Sequence, residues 1–157
     1  MAKSIFHTTD KNNKDAIPGC WYGILLTFLF IFAIIITQRA WLSDDAYITF
    51  RTVDNFINGY RLTWNTIERV QAYTHPLWMF LLSGIYVITH NMYMTGIGLG
   101  LGVSLLTVVT FVLKAGKSFA GSILGLVALS LSCAYVDYST SGLENPLSHF
   151  ILLLFLL

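Results

Sequence analysis

The sequence predicts an all-α, polytopic integral membrane protein. Of its 157 residues, 55% are hydrophobic and only 11% are charged, whereas a soluble domain carries about 25% charged residues. Uncharged apolar segments recur along the chain, and the first, residues 21–37, is long enough to span a bilayer. Polar stretches separate these segments, and two of them, residues 38–75 and 137–145, carry acidic residues. The composition therefore assigns the chain to the membrane class.

The alternation of polar and apolar stretches sets the expected domain boundaries. Trp21, Tyr22 and Trp41 bracket the first apolar segment, as interfacial aromatic residues do. No small-residue cleavage motif follows it, which indicates a retained anchor and not a signal peptide. In order, we expect a cytoplasmic tail (1–20), a first transmembrane helix (21–42), an extracytoplasmic loop with juxtamembrane helices and an acidic motif (43–90), two transmembrane helices (91–113 and 118–136), a second outer acidic loop (137–146) and the start of an incomplete transmembrane helix (147–157).

The start of the first outer loop predicts an amphipathic helix over residues 46–58. One apolar stripe recurs there at helical spacing, formed by Ala46, Phe50, Val53 and Ile57. Gly59 is expected to end the helix, because glycine readily adopts the left-handed conformation of a C′ residue. We expect this helix to lie at the membrane surface and residues 59–75 to form a loop.

Residues 76–89 leave two topologies open. This apolar segment has 14 residues, a length that favours a re-entrant or interfacial segment over a span. If it crosses the bilayer, Lys114 and Lys117 lie outside. If it stays in the outer half of the bilayer, both lysines lie in the cytoplasm with the N-terminal ones. The positive-inside rule favours the second arrangement, which puts both acidic loops on the outer face.

Glycine alternates through the segment 93–113, at positions 96, 98, 100 and 102. Glycine weakens an isolated helix, but small residues let a second helix approach closely in a membrane. We therefore expect a neighbouring element to pack closely against this helix.

Several functional classes find no support in the sequence. The formal net charge is +1 and no basic stripe is present, so nucleic-acid binding is not indicated. Cys20 and Cys133 show neither metal-ligand spacing nor a disulfide framework. Transporters also contain broken spans and intramembrane glycines, but no charge lies within 21–37, 93–113 or 119–136 to form an ion relay.

Asp44 and Asp45 follow the first apolar segment and admit two interpretations. In the structural one, Ser43 or an acid caps the next helix, and the carboxylates favour its dipole. In the functional one, a carboxylate acts as general base or cation ligand at the membrane surface, where charges are costly to keep without a use. Arg51 shares a helix face with Asp44 about 10 Å along the axis, placed to contact a phosphate.

Glu144, His75 and Trp78 also have structural alternatives. Glu144 lies where one helix is expected to end and the next to begin, so helix-start electrostatics would account for it. His75, before Pro76, is consistent with an interfacial cap, and Trp78 with a membrane-belt aromatic residue. Taken singly, none of these residues indicates a function.

Four motifs nevertheless occur in a specific order. They are DDAYITFR (44–51), GYRLTWN (59–65), ERVQAYTHPLW (68–78) and TSGLE (140–144). In order and spacing they resemble the N-terminal part of GT-C-class polytopic membrane glycosyltransferases, most closely the bacterial terminal arabinofuranosyltransferase-like group. The resemblance covers about residues 20–157.

The resemblance implies a fold and a reaction. The fold would be a partial GT-C-type transmembrane core with amphipathic juxtamembrane helices in the first outer loop. The donor would be a polyprenyl-phosphate sugar, with a pentofuranose among the sugars considered, and the acceptor a cell-envelope glycan or glycolipid. The protein would be multi-pass in the bacterial inner (cell) membrane, with the lipid bilayer as a partner and the active face extracytoplasmic.

The resemblance also implies roles for individual residues. Asp44 would be the base that deprotonates the acceptor hydroxyl, with Asp45 as its neighbour or alternative, and Glu144 would be the acid of the second loop facing the same cavity. The third motif supplies the expected substrate contacts Tyr73, His75 and Trp78, while Arg51 as a contact to the donor phosphate rests on spacing alone. No cofactor is assigned and no residue is named as a metal ligand; a divalent cation is left open.

The chain departs from the family pattern in its extent. GT-C enzymes have more spans than the three and an unfinished fourth expected here. We therefore keep three alternatives to an intact enzyme: an N-terminal fragment, an inactive truncated remnant and a small non-catalytic membrane protein. A transporter fragment is the further alternative from another class.

Overall fold

The computed structural model describes residues 19–67, 70, 72–115 and 119–157, and within these ranges it is all-helical. The expected cytoplasmic tail therefore lies almost wholly outside the described residues, as does Lys117. Seven α-helices follow in order: α1 (Gly19–Gln38), α2 (Asp44–Ile57), α3 (Pro76–Thr89), α4 (Met92–Thr110), α5 (Phe119–Leu131), α6 (Cys133–Tyr138) and α7 (Asn145–Leu156). A π-helical turn, Phe111–Ala115, continues α4.

Helix α2 has the amphipathic pattern that its sequence predicts. Ala46, Phe50 and Val53 are buried, while Ile57, at the end of the helix, is 37% exposed. Gly59 has a φ of +84°, so the left-handed residue expected after the helix is confirmed. The buried stripe packs on α3, against Trp78, Met79 and Leu82, in what we call the α2–α3 cluster.

A second apolar cluster joins α1 to the C-terminal half of α4 and to α5 and α6. Its buried members come from four helices and include Phe32 and Ile36 of α1, Val108 of α4, Leu126 of α5 and Tyr135 of α6. The indole of Trp21, expected at a membrane interface, is buried in this cluster. Helix α4 thus connects the two clusters, since it also packs on α3 and α7.

The glycines of α4 divide into two faces. A Cβ atom on Gly96 would lie 2.6 Å from Cζ of Phe50, and one on Gly100 would lie 2.5 Å from the Ser139 carbonyl oxygen. Gly98 and Gly102 face open space, with no atom within 4 Å of an added Cβ. The close approach expected from small residues is therefore confirmed on one face of α4, where α2 and the loop before α7 pack.

The helix expected over 118–136 is interrupted at Ser132. Helix α5 ends at Leu131, and Ser132 begins α6 as an N-cap whose hydroxyl accepts a hydrogen bond from the Tyr135 N–H at 3.3 Å. Serine can make such a local bond in a non-helical conformation, which is why it competes with a continuous helix. The interruption redirects the chain towards the second acidic loop.

Many apolar side chains remain on the outer surface of the described helices. Phe30 is 68% exposed, Leu131 is 77% exposed and Phe155 is 85% exposed. By length and composition, Met92–Lys114 is the one described helix that is long and apolar enough to cross a membrane. Four further apolar helices in these ranges are shorter: Gly23–Gln38, Pro76–Thr89, Ala120–Leu131 and Asn145–Leu156.

Candidate functional site

The candidate site is built around residues 139–144, which connect α6 to α7 and which we call the acidic loop. Its first half is buried: Ser139 is 2% exposed, and Thr140 and Ser141 are fully buried. The Ser139 hydroxyl donates to the Tyr135 carbonyl oxygen at 2.6 Å, and the Ser141 hydroxyl donates to that of Tyr138 at 3.3 Å. Hydrogen bonds to α6 therefore fix the start of this loop.

The acidic loop is also tied to the start of α2. The Ser43 N–H donates to the Ser141 carbonyl oxygen at 2.9 Å. Gly142 has a φ of +79°, and a Cβ atom there would lie 2.8 Å from Cβ of Ala46 and 3.0 Å from Cζ of Phe50. Glycine is thus required at 142 by both backbone conformation and space.

A third connection runs from the acidic loop to the start of α3. The Trp78 indole N–H donates to the Gly142 carbonyl oxygen at 2.9 Å, and the side chain is 1% exposed. Trp78 was expected to contact substrate. Because it is buried and its one polar atom is already paired, its place in the structure is that of a support for the acidic loop.

His75 and Glu144 face each other across the same junction. Nδ1 of His75 lies 3.0 Å from Oε1 of Glu144 and 2.9 Å from the hydroxyl oxygen of Thr74. Each of the pair occupies the N-cap position of a helix, α3 or α7, and neither side chain makes a capping hydrogen bond. The two side chains are 51% and 22% exposed. The structure thus joins two residues that the sequence offered separately.

Asp44 and Asp45 occupy the first turn of α2, and both are exposed. Ser43 is the N-cap residue, but its hydroxyl makes no capping bond. Within the ranges that the structure describes, neither carboxylate has a hydrogen-bonded or ion-paired side chain. The dipole of α2 favours negative charge at this end, so the helix holds two uncommitted carboxylates beside the Ser43–Ser141 connection.

Arg51 and Tyr73 are the remaining predicted site residues. Helix α2 is continuous from Asp44 onward, so the exposed Arg51 lies on it two turns later. Tyr73 is half-buried and packs against the α2–α3 cluster. The contacts described above bring together the other five predicted residues or their immediate neighbours at the acidic loop.

The sequence did not indicate two polar contacts that hold α2 against α3 and against the segment between them. The amide nitrogen of Asn55 donates to the Thr63 and Trp64 carbonyl oxygens at 2.8 and 2.9 Å. The Tyr86 hydroxyl donates to Oδ1 of Asp54 at 3.0 Å, and this bond, with burial second, raises the pKa of Tyr86. The only signal in the sequence was that Asp54 and Asn55 are polar residues within the predicted amphipathic helix.

A metal centre is not formed by the described side chains. No group of three or more histidine, cysteine, aspartate or glutamate residues within these ranges converges on a point where it could hold an ion. His75 and Glu144 are a pair, and a pair falls short of the ligand number that Ca²⁺ takes.

Comparison with known proteins gives two similar sequences. A terminal beta-(1→2)-arabinofuranosyltransferase of Mycobacterium tuberculosis is 34% identical over 121 residues, which cover 70% of this chain and 19% of that protein. A protein of the same name from Corynebacterium glutamicum is 30% identical over 120 residues, which cover 70% of this chain and 17% of that protein. The resemblance drawn from the four motifs is thus confirmed, over a region that spans less than a fifth of either relative.

Two further comparisons found nothing similar. No protein-family model matches the chain. No solved structure matches it either.

Proposed function

We propose that this chain, similar over 70% of its length to two terminal beta-(1→2)-arabinofuranosyltransferases, carries the acidic site of a membrane glycosyltransferase. The reaction would transfer a sugar, a pentofuranose by analogy with the names of these relatives, from a polyprenyl-phosphate donor to a glycan or glycolipid acceptor. The proposed reaction involves no nucleic acid, and no cofactor is assigned to it.

The observation that carries the proposal is the meeting of three sequence motifs at the acidic loop. The Ser43–Ser141, Trp78–Gly142 and His75–Glu144 contacts hold the starts of α2 and α3 against this loop. If Asp44 and Asp45 served only to stabilise the first turn of α2, their position at the start of that helix would be a sufficient explanation for them. It would not account for a second acid and a histidine held at the same junction. Polar side chains that converge from separate elements are typical of a catalytic site.

Asp44 is the proposed general base. Its carboxylate takes the proton of the acceptor hydroxyl, whose oxygen then bonds to the anomeric carbon of the sugar. The bond between that carbon and the phosphate oxygen breaks, and its electron pair leaves with the polyprenyl phosphate. Asp45 is the neighbouring or alternative base. Arg51, on the same helix, is proposed to contact the donor phosphate.

The first outer loop supplies the other proposed substrate contacts. His75 is half-exposed beside Glu144, and Tyr73 is half-buried on the adjoining cluster. Both follow the loop that Asn55 fixes through Thr63 and Trp64. Tyr73 and His75 are therefore proposed to orient the sugar and its phosphate, while the buried Trp78 supports the backbone beneath them.

The proposed environment is the bacterial inner membrane, with the site on the extracytoplasmic face. Apolar residues remain exposed on the outer surface of α1, α5 and α7, as expected for helices that face lipid. Helix α3 has 14 residues and is about 21 Å long, which is shorter than the hydrocarbon core of about 30 Å. This length supports a helix that stays in the outer half of the bilayer, whereas α5, with 13 residues, is followed after Ser132 by α6.

The proposal is tested by Asp44→Asn in the protein that carries this sequence, assayed in isolated membranes for transfer from a polyprenyl-phosphate sugar. Loss of a general base lowers the rate by about 10²–10⁴-fold. Asp137→Asn is the matched control, because Asp137 forms a surface ion pair with Arg39 at 3.8 Å outside the site. Unimpaired transfer by Asp44→Asn at normal protein levels would exclude Asp44 as the base. No transfer by the unmodified protein would favour a non-catalytic membrane protein or an inactive remnant.

A further inference from the structure

His75 and Glu144 both lie at the start of a helix, but that position does not explain why their side chains contact each other. Both residues are N-caps, a position whose side chain ordinarily accepts a hydrogen bond from the first turn. Both side chains instead turn away from their helices and face each other. Each helix has a proline in its first turn, Pro76 or Pro146. The helices therefore begin without these side chains, which remain available for another use.

Stability alone gives little reason for the pair. An ion pair with exposed members contributes at most about 1 kcal/mol, and the imidazole here is 51% exposed. The buried Trp78–Gly142 and the Ser43–Ser141 hydrogen bonds already hold the acidic loop in place. The pair lies at the surface of a junction that other contacts maintain.

The contacts of Nδ1 determine where the hydrogens of the imidazole lie. A carboxylate oxygen can only accept, so the approach of Glu144 Oε1 at 3.0 Å requires a hydrogen on Nδ1. The Thr74 hydroxyl oxygen lies 2.9 Å from the same nitrogen. Nε2 is then the nitrogen left for a ligand, since no described residue makes a hydrogen bond to it.

We propose that Glu144 is a positioning residue that fixes the His75 imidazolium so that its Nε2–H contacts the phosphate leaving the donor. This inference rests on the proposed function and assigns Glu144 a role other than that of a second catalytic acid. Phosphodiester and phosphate oxygens are acceptors, so the imidazole that contacts them carries a hydrogen on both nitrogens. As the carbon–oxygen bond to the sugar breaks, its electron pair goes to the phosphate oxygen. The Nε2–H hydrogen bond strengthens as that charge develops.

The pair also bears on the electrostatic repulsion between the site and an anionic donor. An anionic phosphate that approaches Asp44, Asp45 and Glu144 meets three carboxylates. When protonated, His75 supplies a countercharge for Glu144, whose Oε1 lies 3.0 Å from Nδ1. A charge-assisted hydrogen bond from an imidazolium to a phosphate oxygen is about twice as strong as a neutral one.

The sign of the effect of Glu144→Gln on phosphate binding tests the inference. The probe is farnesyl phosphate, a short polyprenyl phosphate, with farnesol as the uncharged control, titrated into the purified protein in detergent micelles. Removal of a carboxylate should strengthen anion binding by charge alone. Loss of the positioning contact should weaken it. We expect weakening by about tenfold, the factor for one hydrogen bond to a charged group, with farnesol binding unchanged.

Three further variants complete the test. His75→Gln should weaken farnesyl phosphate binding as Glu144→Gln does, and the double variant should be no weaker than either single one. Glu144→Asp keeps the charge but withdraws the carboxylate from Nδ1, so it should also weaken binding. Asp137→Asn is the control for net charge and should leave binding equal or slightly stronger. Thermal unfolding of each variant shows whether it is folded. If one variant does not fold, the farnesyl phosphate binding of the other variants tests the inference.

The outcomes separate this inference from the proposed function. If Glu144→Gln or Glu144→Asp binds farnesyl phosphate as tightly as the unmodified protein, or more tightly, Glu144 does not position His75. Transfer that nevertheless depends on Asp44 would leave the proposed function standing. If the unmodified protein binds farnesyl phosphate through both residues but transfers no sugar, the phosphate contact stands and the proposed function fails.

Discussion

The Trp78 indole N–H donates to the Gly142 carbonyl oxygen at 2.9 Å across a sequence separation of 64 residues. Through this bond the first turn of α3 supports the acidic loop, on which the candidate site depends. The bond is buried, and a buried carbonyl oxygen that loses its donor cannot turn to water. The site is thus coupled to the packing of the α2–α3 cluster.

Trp78→Phe tests that coupling. The change keeps an aromatic ring in the cluster but leaves the Gly142 carbonyl oxygen unpaired, at a cost of about 1–3 kcal/mol. We expect a lower free energy of unfolding and reduced sugar transfer, measured by thermal unfolding in detergent and by the membrane assay. Trp64→Phe is the matched control, because Trp64 is 38% exposed and should change stability by less than about 0.5 kcal/mol. Equal stabilities for the two variants would contradict the assigned role of Trp78.

Gly142→Ala should destabilise the fold by about 2–5 kcal/mol. The left-handed conformation costs a residue with a Cβ about 1–2 kcal/mol, and overpacking against Ala46 and Phe50 adds a cost of about 1–3 kcal/mol. Gly98→Ala is the control, because an added Cβ there meets nothing within 4 Å and alanine favours a helix by up to about 1 kcal/mol. Thermal unfolding of the two variants should therefore shift in opposite directions. A stable Gly142→Ala protein would mean that the acidic loop can move away from α2.

The local structure of α2 could be predicted from the sequence because it depends on residues close in the chain. The spacing of Ala46, Phe50 and Val53 indicates one apolar face, and this face is buried. Gly59 indicates the helix end, and its φ of +84° confirms it. The sequence did not show that the face packs on α3, because a membrane surface would satisfy the same apolar stripe.

The contacts of the site itself could not be predicted from spacing. His75 and Glu144 each have an ordinary explanation as a helix start, and only the path of the intervening chain brings their side chains to 3.0 Å. The break at Ser132 is similar, since a serine within an apolar run carries no distinctive signal. The resemblance to known enzymes is confirmed by the two relatives, but it did not distinguish Trp78, whose side chain is buried, from His75, whose side chain is half-exposed.

Tyr86→Phe should destabilise the protein at neutral pH and relieve a loss of stability at high pH. The hydrogen bond from the Tyr86 hydroxyl to Asp54 raises the pKa of Tyr86 above its ordinary value of 10.0. The folded protein therefore holds this proton more tightly than the unfolded chain. Its stabilising contribution is present below about pH 10 and is lost as the pH rises through the folded pKa. At neutral pH the variant should lose about 0.5–1.5 kcal/mol.

The measurement for Tyr86→Phe is thermal unfolding at neutral pH and again above pH 10. The unmodified protein should lose stability between the two conditions more steeply than the variant does. Tyr93→Phe is the control, because Tyr93 is 49% exposed and its hydroxyl makes no hydrogen bond among the described residues. A parallel pH dependence of Tyr86→Phe and the unmodified protein would show that the bond to Asp54 does not form.

The topology around α3 can be tested by single-cysteine labelling after Cys20 and Cys133 are replaced by serine. Positions 60 and 114 are suitable, since Tyr60 is 57% exposed and Lys114 is exposed. If α3 stays in the outer half of the bilayer, a membrane-impermeant maleimide should label Tyr60→Cys in intact cells. It should label Lys114→Cys only after the membrane is permeabilised. Labelling of both positions from outside would mean that α3 crosses, and the acidic loop would then face the cytoplasm, away from Asp44 and Asp45. That result would contradict the hydrogen bonds that hold the loop against α2 and α3.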